Sequence, residues 1–268
     1  MANNECYMCP SEGVTREHVP PKCFFPAECR ENLITVPSCN DHNNGGSLDV
    51  QYTWVIILTS ISVAENLDNL PDGVKELLNK ALGTLERNDA RLAQRLRNNF
   101  QRIRVNSGET IAYEFERERF DNIIHSIAHS LYFFEYGKKY EQNSKLSICT
   151  PNILYSDLLP DIYAILFDLI EKKYVTSLSY KGDNQVIFKY SFINLPKNPL
   201  TKKEILILKM VFYNIFTVWV TKEGDITEDM LDCIKPSKLV TAKSIIVPVR
   251  RIIGQPLPYY NPVHWTVL

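Results

Sequence analysis

Two short pairs of metal-ligand type, Cys6-X-X-Cys9 and Cys39-X-X-His42, constrain this chain more than any other feature of its sequence. A CxxC pair places both sulfurs on one tight turn, and a CxxH pair can span the first turn of a helix. Three thiolates and one imidazole make the four-coordinate donor set that structural zinc prefers. The neighbouring residues point the same way. Positions 1–50 are rich in Cys, His, Asn, Pro and Gly and poor in periodic apolar residues, so they cannot build a conventional core unaided. A bound ion supplies the missing folding free energy. The chain has seven cysteines, an odd number, and those before residue 30 have the spacing of metal ligands more than of disulfides. Cys23 and Cys29, in the KCFFPAEC stretch between the knuckles, read as packing residues.

Around the knuckles lie the segments EHVPPK, from Glu17, and ENLITVPSCNDHNNGG, from Glu31. Together they resemble the HNH endonuclease family, the ββα-metal fold of the zinc-knuckle type. Glu17, His18 and Pro20 match its acidic-His-proline element, Asn32 and Leu33 its Asn-Leu, and Asn43 the Asn beyond the second knuckle. The resemblance covers about residues 5–50 and implies an endonuclease that hydrolyses phosphodiester bonds of DNA. In the roles it implies, His18 takes the proton of the attacking water and Asn32 fixes the loop after the His strand. Glu17 and Asn43 hold a catalytic divalent ion, expected to be Mg2+, on hard oxygen donors. The chemistry suits these residue types. Hydrolysis of a phosphodiester needs a deprotonated water, and an imidazole with a pKa near 6.5 accepts a proton at neutral pH.

Glu17 stands where the family more often has Asp, and His42 where a fourth Cys is commoner. His42 therefore has two roles open, closing the zinc set or joining the catalytic ion. Two alternatives stand beside the DNA nuclease. One is a non-catalytic zinc-knuckle module that binds a protein or nucleic acid, and the other is a nuclease that acts on RNA.

The fold expected is α+β in three regions. Residues 1–50 form a zinc-stabilised, treble-clef-like ββα-metal unit, 51–142 a helical segment, and 143–268 an α+β region with an antiparallel sheet. The helical segment reads as three helices, over 55–67, 74–103 and 117–140. In the second, Leu92, Leu96, Phe100 and Ile103 fall on one face. Arg87, Arg91 and Arg95, four apart, share another face that suits DNA phosphates, or else a solvated face paired with the acidic stretch 109–121. His125 and His129 have the i, i+4 spacing of a chelating pair, but residue 126 is Ser where a metalloprotease motif needs Glu, so a core or interface role is expected. In the third region a helix is expected over 156–172. β-branched and aromatic runs follow at 174–180, 186–193, 204–214 and 215–222, with a turn at Gly182-Asp183-Asn184 and a proline-rich extended tail from Val247.

Of the 268 residues 45% are hydrophobic, enough for a real core, and the formal net charge of −1 excludes a general polyelectrolyte binder. A positive surface for DNA must then be local. No signal-peptide pattern and no membrane-length apolar run is read, so a cytoplasmic protein is expected. Stand-alone HNH proteins of this size look similar to effectors of bacterial antiviral defence, which implies that context. A protein partner or activator acting through the C-terminal region and self-association into a homo-oligomer are both left open, since nothing in residues 150–268 identifies a partner.

Overall fold

In a computed structural model of the chain, the described residues are 4–44, 46–60, 67–86, 100–105, 108–113, 116–140, 145–150, 170, 178–195 and 204–222. Arg87, Arg91 and Arg95, most of the helix expected over 156–172 and the proline-rich tail lie outside them.

The N-terminal unit is a two-stranded antiparallel hairpin followed by helices. Strand β1 (Thr15–His18) pairs with β2 (Thr35–Ser38), with Glu17 opposite Val36 and His18 opposite Thr35. Two 3-10 turns, Lys22–Phe24 and Ala27–Cys29, fill the connection, which begins with a cis Val19–Pro20 peptide. Three prolines at 20, 21 and 26 leave this loop few donors for regular structure and favour such turns. The loop turns Phe24 and Phe25 inward, both fully buried. Cys23 and Cys29 pack partly buried against the same core, as packing residues do.

Helix α1 (Asn40–Asn44) starts directly after Cys39, and α2 (Ser47–Thr59) follows. Every residue of α2 from Tyr52 to Thr59 is buried. A helix that is apolar on all sides needs neighbours on all sides, and α3 (Asp72–Glu86) and α4 (Arg117–Tyr136) pack against it. Along α4, Phe120, Ile123, Ile124, Ile127, Ala128 and Leu131 repeat at helical spacing and form the buried stripe. The helix stops at Gly137, whose φ of 63° is left-handed and whose N–H caps the Phe133 carbonyl. The helix expected over 117–140 thus starts where expected and ends at Tyr136.

The second expected helix does not extend as drawn. Its described part runs to Glu86, Leu92 and Leu96 lie outside the described residues, and Phe100 and Ile103 lie in strand β3 (Phe100–Val105), not on a helix face. β3 pairs antiparallel with β4 (Gly108–Tyr113) in a separate hairpin. Spacing at 100 and 103 suits a helix equally well, and the pairing with β4 decides it.

The C-terminal region forms the expected antiparallel sheet, in the order β5 (Leu146–Cys149), β8 (Phe216–Lys222), β7 (Ile205–Phe212), β6 (Phe188–Leu195). Leu178–Tyr180 form no strand, and Lys181 joins β6 only through a single bridge to Tyr190. Tyr213 and Asn214 turn β7 into β8, both with positive φ, as the tight turns favoured by hairpins require. One face of the sheet, carrying Tyr190, Met210, Phe212 and Val218, joins a core that runs without a break from Cys6 in the first knuckle to Val220. The N-terminal unit therefore borrows apolar cover from α2, α4 and the sheet. Among the described residues no helix is long and apolar enough to cross a membrane.

Candidate metal centre

The first knuckle is a small turn tied to β2. Cys6 donates its N–H to the Ser11 carbonyl at 2.8 Å, and Tyr7 donates its own to the Pro37 carbonyl at 2.9 Å. Gly13 makes this approach possible, because a Cβ there would stand 2.6 Å from the Cβ of Pro37. On the other side, Cys39 and His42 span the first turn of α1, and Asn43 donates its N–H to the Cys39 carbonyl at 3.0 Å.

These two turns bring Cys6, Cys9, Cys39 and His42 together, with all their ligand atoms within 4.8 Å of one another. Sulfurs held at about 2.3 Å by a tetrahedral ion lie about 3.8 Å apart, and a sulfur and a nitrogen about 3.5 Å. The Cys9 and Cys39 sulfurs are separated by 3.8 Å, and Cys6 Sγ lies 3.6 Å from His42 Nδ1. Cys39 Sγ approaches His42 Nδ1 to 3.1 Å, which is also a thiol–imidazole hydrogen-bond distance. The donor set thus fits a metal ion such as zinc. His42, with two roles open in the sequence, stands among the thiols. The thiols titrate unevenly. Hydrogen bonding to Ser11 holds Cys9 below its ordinary value, whereas a backbone hydrogen bond from His42 lowers Cys39 less than burial and the neighbouring thiols raise it. A divalent ion favours the thiolate at all three.

The residues of the HNH resemblance lie on the adjoining elements. Glu17 and His18 occupy the end of β1, and α1, which carries Asn43, packs against that strand. Glu17 is half-buried, and its Oε2 is shut off from solvent with no hydrogen-bond partner among the described residues. Burial pushes its carboxyl up to about 7. His18 is half-buried on the same strand, its imidazole shifted below 6.5 by burial first and then by the charges of Lys22 and Arg16. Asn32 plays a backbone part. Its φ of 54° is left-handed, a conformation Asn tolerates, and its side chain is exposed at the turn before β2.

Several neighbours were not singled out by the sequence. Tyr7, inside the CxxC loop and 1% exposed, bonds through its hydroxyl to Ser126 of α4 at 2.6 Å and packs edge-on to the His42 ring. Arg16 reaches across the hairpin to Thr35. Alternation along β1 is the signal that could have found Arg16, since residues two apart share a strand face. Away from this centre, His129 is 4% exposed with its ring against His125 and Tyr140, and His125 is half-buried, so of the core or interface role expected of the pair His129 takes the core one.

Comparison of the chain with protein-family models, with curated proteins and with solved structures finds no match.

Proposed function

We propose that the chain is a metal-dependent endonuclease of the HNH type that hydrolyses phosphodiester bonds of DNA, on a scaffold closed by zinc at Cys6, Cys9, Cys39 and His42. The observation that carries this reading is the buried Oε2 of Glu17, without a hydrogen-bond partner among the described residues, on the residue that precedes His18 in β1. A carboxylate oxygen out of solvent and without a donor is costly, and a cation is the partner that relieves it. Around it the order of elements is strand, strand, helix, with α1 against β1.

Glu17 and Asn43 are the hard oxygen donors that would hold a divalent ion, Mg2+ being the natural choice for such a pair. When bound, that ion supplies charge neutralisation at the scissile phosphate and the leaving oxygen. His18 accepts the proton of the attacking water on a ring nitrogen. Its lowered pKa keeps it in the neutral, accepting form at pH 7. Cys6, Cys9, Cys39 and His42 take no part in the chemistry and fix the position of α1 relative to β1.

The test is incubation of the purified full chain with supercoiled plasmid, single-stranded DNA and RNA, with and without added Mg2+ or Mn2+. DNA cutting that requires the added ion is the expected result. Cutting of RNA alone would reassign the substrate. A protein that retains its zinc but cuts none of the three would overturn the reading in favour of a binding module.

A further inference from the structure

The exposed face of β1 carries more than His18. Arg16 lies two residues earlier on the same strand face, and its guanidinium is fixed, Nε donating to Thr35 Oγ1 at 2.9 Å and Nη2 to the Thr35 carbonyl at 3.2 Å. Thr35 is the cross-strand partner of His18, so the guanidinium is held beside the imidazole. Of the five N–H groups a guanidinium offers, Thr35 uses two, and among the described residues none of the remainder meets a carboxylate. On the other side of His18 the chain turns through Val19 and the prolines into the 3-10 turn that begins at Lys22, whose side chain is exposed. Neither Arg16 nor Lys22 makes an ion pair among the described residues. Both act on His18 as nearby positive charges.

Two cations that make no ion pair among the described residues, one preorganised by its own hairpin, stand before and after the proposed general base along a slightly acidic chain, and both lie near enough to act on it. Resting on the nuclease reading above, we propose that Arg16 and Lys22 bind the backbone phosphates on either side of the scissile one, so that the nucleic-acid strand runs along the exposed face of β1 past His18. The substrate class is then a polynucleotide with phosphates on both sides of the cut. The two residues position the strand and leave the proton transfer to His18. Arg16 suits the task because its rigid fork loses little freedom on meeting a phosphate, whereas Lys22 acts as a point charge.

The experiment measures binding of a fluorescently labelled duplex by anisotropy across a salt series, without added divalent ion. KM and kcat for cleavage of the same duplex are measured in Mg2+, and zinc content is determined for every variant. Each of Arg16→Gln and Lys22→Gln is expected to lower the log–log salt slope by about 0.9, the value of one phosphate contact on duplex DNA, and to raise KM by more than it lowers kcat. Arg16→Lys should restore most of the slope, because the charge is kept. If Arg16 served only to clip Thr35, the Lys variant would behave like the Gln variant. Lys22→Gln alters an exposed side chain, so it reads the proposal even if an Arg16 variant misfolds. A double Gln variant with the wild-type slope and KM overturns the proposal while leaving a cutting wild type, and the nuclease reading, intact. A wild type that binds duplex through this slope, loses it in the double variant and cuts nothing would support the phosphate contacts and overturn the nuclease reading instead.

Discussion

The hydroxyls of Tyr7 and Ser126 meet at 2.6 Å, joining the first knuckle to α4 across 119 positions of the chain. Tyr7 is buried, and burial pushes its phenol up to about 12, so it stays protonated at any working pH. A neutral hydrogen bond of this kind contributes about 1 kcal/mol net. Tyr7→Phe keeps the ring and its packing against His42 while deleting the bond. Urea unfolding should show a loss of about 1 kcal/mol with zinc content unchanged. An unmoved midpoint would show that α4 is held to the knuckle by apolar packing alone.

His129 makes the protein acid-sensitive in a defined window. Burial, and then the neighbouring His125, push its pKa down to about 4 from an ordinary 6.5. Between those values the unfolded chain binds a proton that the folded chain refuses, so stability is lost as pH falls from 6.5 towards 4, by up to about 3 kcal/mol. Glu17 works in the opposite direction. With its pKa raised to about 7 from 4.5, the folded chain binds the extra proton, and its contribution declines as pH rises through that range. The two partly cancel in wild type. The measurement is therefore the difference between wild type and His129→Phe, whose stability should fall less from pH 7 to 4.5. Parallel pH profiles would remove His129 as the cause.

The zinc expectation can be checked without reference to activity. Three thiolates and an imidazole in one tetrahedral cluster bind zinc with apparent free energies of about 10–16 kcal/mol in small folded peptides. The purified chain should carry one zinc, and Cys39→Ser, which removes a buried ligand, should release it and unfold the knuckle region. Elemental analysis and hydrogen exchange over residues 4–44 read the two effects. Wild-type protein free of transition metal would remove the site.

Local features of the fold were legible in the sequence, and long-range ones were not. The four cluster residues were readable because CxxC and CxxH fix their geometry within single turns. Of the stripe expected as core, Ile124, Ile127 and Leu131 are buried because helix period and packing agree there, whereas Phe134, expected with them, is 50% exposed. Phe100 and Ile103 misled because two apolar positions three apart suit a helix, and only the partner strand β4 shows otherwise. The turn at Tyr213 and Asn214 lacks the glycine that usually signals positive φ. The unpartnered oxygen of Glu17 and the placement of Arg16 beside His18 depend on the register of the hairpin and on what covers it. Neither quantity is a property of a local run of residues.

The sharpest prediction compares His18→Ala with Glu17→Gln. Neither residue belongs to the Cys6, Cys9, Cys39 and His42 cluster, so both variants should retain zinc and the fold. Loss of a general base lowers the rate by about 10²–10⁴, and no concentration of metal can replace it, so His18→Ala should stay slow across a Mg2+ series. Glu17→Gln removes the charge of the proposed metal donor but keeps its shape. Its loss should appear as a weakened Mg2+ requirement curve, shifted to higher concentration and partly rescued there, with Asn43→Ala behaving alike. A further signature separates the two roles. The carboxyl of Glu17 holds its proton up to about pH 7, so a cation that binds it must displace that proton. Apparent Mg2+ affinity should therefore rise from pH 6 to pH 8 in wild type and in His18→Ala, and become flat in Glu17→Gln. If Glu17→Gln keeps the wild-type pH dependence of Mg2+ affinity, the ion binds elsewhere and the buried oxygen has another partner. If His18→Ala cuts at the wild-type rate, the general base lies outside β1.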